Sequence, residues 1–226
     1  MSLLRWSLRL AVSAIACAAT AVIGVKPVAA QSSPFMRVFG GAQPPYGFVL
    51  FCESFPRECA DGAVGDPRVL LTAERLAELD AVNRSINKII QPATDMEIYG
   101  VSEHWTIPST RGDCEDYALL KRRILVERGW PIGSLLITVV RDEKGEGHAV
   151  LTARTSQGDF ILDNKVDDLK IWHKTPYEFV MRQSSISARG WMSLDTRHVN
   201  PVSASAGARE PQAALQGHRA RQRPVE

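Results

Sequence analysis

Three residues of this chain have types and positions that suit nucleophilic catalysis. Cys114 stands at the expected first turn of a helix in RGDCEDYALLKRR, His148 opens the β-rich run GHAVLTA, and Asp163 closes the apolar run FIL. In such a set the cysteine supplies a thiolate and the histidine takes or shares its proton. The carboxylate fixes the imidazole's tautomer and stabilises its positive form. The surroundings of the thiol run against this. Asp113, Glu115 and Asp116 flank it, and like charge raises a thiol's pKa. A helix N-terminus and a neighbouring imidazolium lower it, and adjacent helical residues point in different directions, so Asp113 and Glu115 need not face the sulfur. Clustered carboxylates also suit Ca²⁺, which takes about six to eight oxygen ligands. Asp113, Glu115 and Asp116 are the candidate ligands, with loop carbonyls or waters completing the shell. Acids in a first turn favour the helix dipole with no metal at all, and the residues alone leave both readings open. A backbone N–H at Cys114 is a candidate oxyanion donor.

The elements that must position these groups follow from periodicity. Thr72 caps a helix in which Leu76, Leu79, Val82, Ile86, Ile89 and Ile90 recur at helical spacing, and Gln91-Pro92 ends it. A second helix is expected from about Asp113 to Arg128, with Thr110 and Asp113 offering the cap and Gly129 and Pro131 the stop. Ser134–Val140, the run from Gly147 and Phe160–Leu162 read as strands separated by turns at DEKGEG and SQGD. The fold class is α+β, an antiparallel meander packed on the cysteine helix. Thr175-Pro176-Tyr177-Glu178 has the pattern of a short helix start, and SISARGWMSL that of a late strand. Asp159 and Asp167 rival Asp163 as the third catalytic member; Asp163 is preferred because it ends an apolar strand. Trp105 is a candidate for the substrate groove or the core, and His104 for the surface.

Residues 1–30 carry Arg5 and Arg9, then an apolar run, then Val28-Ala29-Ala30, the layout of a signal peptide. Residues 31–69 read as an irregular arm, 70–195 as the catalytic domain and 196–226 as a disordered tail. The mature chain is therefore expected to be exported, with no transmembrane segment after signal cleavage. A net charge of +2 nominates no nucleic acid. With Cys17 removed, Cys52 and Cys59 in FCESFPREC are placed to close a disulfide loop in an oxidising compartment, leaving Cys114 as a free and reactive thiol.

RGDCEDYALLKR, GHAVLTA, FILDN, LDAVNRSIN and TPYEF together resemble the bacterial transglutaminase-like cysteine proteinases, a papain/transglutaminase-related group that includes the LapG-type periplasmic proteases. The resemblance runs from about Leu70 to Leu194. It implies a nucleophile helix on an antiparallel sheet and a triad of Cys114, His148 and Asp163. It also implies calcium dependence through acidic residues beside the nucleophile, here Asp113, Glu115 and Asp116. The implied substrate is a large surface adhesin whose cleavage affects biofilm attachment, and an implied partner is an inner-membrane cyclic di-GMP receptor. Acyl transfer to an amine, a cell-wall peptide amidase and a non-catalytic binding module are the alternatives on the same fold.

Overall fold

The structure is a computed structural model that describes residues 33–61 and 67–196. The expected signal peptide and all of the expected tail except Thr196 lie outside the described residues. Among those described, no helix is long and apolar enough to cross a membrane.

The centre of the molecule is an antiparallel sheet. Its strands are β1 (Gly40–Ala42), β4 (Leu135–Arg141), β5 (Gly147–Thr155), β6 (Gly158–Leu162), β7 (Lys170–Ile171), β8 (Glu178–Gln183) and β9 (Trp191–Ser193), in the order β1-β9-β8-β4-β5-β6-β7. A separate parallel pair joins β2 (Gln91–Pro92) to β3 (Arg111–Gly112). The helices are α1 (Tyr46–Ser54), α2 (Ala73–Ile89), α3 (Asp95–Tyr99) and α4 (Cys114–Glu127).

Alternation along the strands assigns their two faces. Leu135, Ile137, Leu151, Ala153 and Leu162 join a core that includes Phe48, Leu79, Ile86, Tyr117 and Leu125 from the helices. Val140, Val150 and Ile161 join a smaller cluster with Met36 and Phe179, against which Tyr177 packs. Helix α2 is capped as its sequence asks, with Thr72 Oγ1 accepting from Arg75 N at 3.3 Å. Helix α4 ends at Gly129, whose φ of +83° is left-handed, and Trp130 N closes the turn on Leu125 O at 3.0 Å.

Three expectations need correction. The arm at residues 31–69 is not irregular throughout. It contains α1, whose Phe48 and Phe51 are buried against the core, and β1, which pairs with β9. Its helix escapes a periodicity reading because it is short and bounded by Pro45 and Pro56. The helix expected from Thr175 does not form. Thr175 Oγ1 donates to Trp172 O at 2.7 Å, and the following EFVMRQ becomes β8, paired with β4; sheet pairing outweighs a local cap signal. Lastly, Asp113 occupies the N-cap of α4 without a side-chain capping bond. The expected disulfide is present, linking Cys52 to Cys59 across a Cα separation of 5.5 Å, with Cys114 the free cysteine among the described residues.

Candidate active site

Cys114 is the first residue of α4, and α4 packs against β5. The β5–β6 ladder stops at the pair Leu151–Leu162, so among the described residues the backbone of β5 before Leu151 has no partner strand on that side. Ala149 N fills the gap by donating to Cys114 Sγ at 3.4 Å. Continuing the register by one residue sets Asp163 opposite Val150, on the face that Val150 shares with His148. The result is a hydrogen bond of 3.0 Å between His148 Nε2 and Asp163 Oδ1. His148 is buried, and with Nε2 turned to the carboxylate its Nδ1 remains for the thiol side.

Asp163 is held at every oxygen. Lys165 N donates to Oδ1 at 2.9 Å and Tyr177 Oη to Oδ2 at 2.5 Å, while Asn87 Nδ2 donates to the backbone carbonyl at 2.9 Å. Burial pushes its carboxyl up, but the bonds from His148 and Tyr177 outweigh that and leave it below the ordinary carboxylate range. It stays ionised. The rivals are occupied elsewhere: Asp159 pairs with Arg68 at 2.7 Å and accepts from Met36 N, and Asp167 accepts from Asn87 at 2.9 Å.

The thiol itself does not bond to His148. Its proton goes to Glu115 Oε2 at 2.9 Å, so this neighbour does face the sulfur. Burial first, and then the Glu115 carboxylate, raise the Cys114 pKa well above the ordinary thiol value. Cys114, Glu115, His148 and Ala149 line one cleft of about 400 Å³, with Pro45 of the arm and Trp105 among its walls. Trp105 serves both of the roles open to it. It is buried against Phe48, with ring centroids 5.9 Å apart, and it faces the cleft. His104 is exposed and lies against Tyr99, the ring planes tilted by 57°.

Of the three expected metal ligands, Asp113 and Asp116 come together and Glu115 does not. Their third partner is Asp95, which the sequence reading missed; one carboxylate oxygen from each lies within 4.8 Å of the others. The β2–β3 pair makes this cluster, since Ala93 N donates to Gly112 O at 3.0 Å and sets the start of α3 beside the start of α4. A capping box at Thr94 and Glu97 fixes that turn. The sequence TDME carried that cap, but nothing in it told of the pairing with residues 111–112.

The cluster fits a hard cation on its own evidence. Asp95 gives one oxygen to His104 N and Asp116 gives one to Thr106 N, the latter at 2.9 Å. Their second oxygens, together with Asp113 Oδ1, are buried without a hydrogen-bond partner among the described residues. A Cβ at Gly112 would lie 2.6 Å from Asp116 Oδ2, so glycine keeps that space open. Burial, then the charges of Glu115 and Asp95, lift Asp113 to about 8. Burial, with Asp113 and Asp95 beside it, lifts Asp116 to about 7. Such a group of acids calls for positive charge.

The model of the bacterial transglutaminase-like cysteine proteinases matches residues 38–199. The chain belongs to this family. It has the family's transglutaminase-like α+β fold. It is similar to solved structures of LapG from Legionella pneumophila. To the calcium-bound form it is 28% identical over 47% of this chain and 63% of that one, with a TM-score of 0.42. To the EGTA-treated form it is 28% identical over 54% and 68%, with a TM-score of 0.45. The proteinase thus spans less than two thirds of the calcium-bound chain. No curated protein matches it.

Proposed function

We propose that this proteinase is an exported endopeptidase in which Cys114, His148 and Asp163 form the catalytic set. The observation that carries the reading is one cleft lined by both Cys114 and His148, with the imidazole bonded from behind to an ionised Asp163. His148 Nδ1 takes the thiol proton, and the sulfur attacks a peptide carbonyl carbon. The C–N bond then breaks, the leaving amine takes the proton from His148, and a thioester to Cys114 remains. Water, deprotonated by His148, hydrolyses that thioester and restores the thiol. Before attack the Sγ–H bond to Glu115 has to be given up, and the backbone N–H groups at the start of α4 are placed to receive the carbonyl oxygen.

Asp95, Asp113 and Asp116 would hold calcium, with Glu115 in reach of the same region by its place in the first turn. Bound there, Ca²⁺ would supply positive charge that offsets the carboxylates beside the thiol. The unpartnered oxygens support this reading; the LapG structure to which the chain is similar has calcium bound, a property of that protein. Location in the periplasm, cleavage of a large surface adhesin with an effect on biofilm attachment, and sequestration by an inner-membrane cyclic di-GMP receptor are carried here by the family resemblance. The Cys52–Cys59 disulfide is in keeping with export.

The test is cleavage of envelope proteins from the protein's own cell, with the new N-termini read by mass spectrometry. Cys114→Ala should leave folding intact and produce none of them. The same N-termini from that variant would end the proposal.

A further inference from the structure

The geometry points to Tyr177 as a positioning residue of the catalytic centre, its hydroxyl locking the Asp163 carboxylate so that His148 keeps Nε2 on the acid and Nδ1 toward Cys114. This rests on the catalytic reading of Cys114, His148 and Asp163 given above.

A free carboxylate can turn about its bond to Cβ and can accept at about four lone-pair sites. Asp163 has little of that freedom. Oδ1 is taken by His148 Nε2 and Lys165 N, and Oδ2 by Tyr177 Oη. Among the described residues the tyrosine alone engages the second oxygen, so its hydroxyl decides whether the carboxylate can rotate away from the imidazole. Tyr177 also touches the histidine directly, ring edge to ring face, with centroids 5.5 Å apart and planes at 70°. One side chain therefore bears on both partners of the hydrogen bond that sets the tautomer.

Its placement is a product of topology. Tyr177 precedes β8, which pairs with β4, and β4 pairs with β5, the strand of His148. Pro176 and the bond from Thr175 Oγ1 to Trp172 O hold the approach. Burial, then the bond to Asp163, then the charges of Asp163, Glu143 and Asp142, keep the phenol protonated far above its ordinary range. The hydroxyl therefore keeps its proton and donates it to the carboxylate. The ring also packs against the cluster around Val140, Val150 and Phe179, a structural role that phenylalanine would preserve.

Two readouts separate positioning from packing. The tautomer of His148 is followed by ¹⁵N NMR, and the thiol by its alkylation rate with iodoacetamide at pH 7.5, in one buffer for wild type, Tyr177→Phe and Asp163→Asn. Wild type should hold the Nε2–H tautomer. Tyr177→Phe should melt within a few degrees of wild type, show a mixed tautomer, and react on the order of tenfold more slowly. If Tyr177→Phe keeps the wild-type tautomer and rate while Asp163→Asn loses both, the proposal is overturned and the catalytic set survives. If Asp163→Asn also changes neither, the set itself fails. Replacing Tyr177 with 3-fluorotyrosine keeps the hydroxyl and the packing while strengthening the donor. The His148 Nε2–H proton resonance should then move, and an unmoved resonance overturns the proposal even if the phenylalanine variant does not fold.

Discussion

Lys121 has no exposed surface, yet among the described residues its ammonium makes one hydrogen bond, 2.8 Å to Asn83 Oδ1, and lies 5.7 Å from the centre of the Tyr117 ring. Asn83 in turn donates to the backbone carbonyls of Val166 and Asp167, so the lysine braces the loop that follows Asp163. Burial lowers its pKa to about 7, against the opposing pull of Asp163 and Asp167. The folded value is thus depressed below the unfolded one. Its stabilising contribution is complete only above about pH 10.5 and is lost as pH falls toward 7. Thermal melts with calcium in excess should show wild type gaining on Lys121→Met as pH rises from 7 to 10. A constant difference between the two would mean that the lysine is not titrating there. At this scale the sequence was legible where chemistry is local. Cys114, His148 and Asp163 can be named from their neighbours, and the Cys52–Cys59 pair from its spacing. Asp95 and Tyr177 could not be named, because each reaches the site through pairing of strands distant in sequence.

Helix α1 shows what an element reading loses. Its two prolines and lack of clear period hide the fact that Phe48 packs edge-on against both Trp105 and Trp191, with the second centroid 5.3 Å away. Contact is so close at Gly47 that a Cβ would sit 2.5 Å from Trp105 Cδ1. Trp105 is buried and its Nε1 donates to Glu103, so displacing it would cost packing and that bond. Gly47→Ala should therefore destabilise the protein by about 1–3 kcal/mol, the usual cost of overpacking, in spite of alanine's better helix propensity. Chemical denaturation measures it, and an unchanged midpoint would show that the tryptophan can shift. The strands β4, β5 and β6 could be read in advance because alternation and turn residues agree there. Helix α4 could be read because its period and its Gly129 stop agree. At TPYEF the local cap and the sheet disagreed, and the sheet prevailed.

For the whole molecule the dominant electrostatic feature is the buried acidic group. Asp113 and Asp116 titrate in the folded state at about 8 and about 7 without metal, above the carboxylate range of an unfolded chain. The folded protein then holds protons that the unfolded chain has released. Stability from these groups is fully present below about pH 4 and is lost as pH rises toward 8. With a chelator in excess, the melting temperature should fall between pH 5 and 8.5. Calcium should raise it by mass action, and the gap between the two curves should widen with pH. Equal curves would remove the ion from this site.

The pairing of β1 with β9 sets Gly40 beside Ser193, so the first and last strands described are neighbours. The residues just before β1 are tied to the opposite margin of the sheet, where Asp159 N donates to Pro34 O at 2.9 Å and Trp172 Nε1 to Ser33 O at 3.0 Å. Residues 33–42 are thus a belt drawn from the β6–β7 side to the β9 side, and a cut within it would loosen both margins at once.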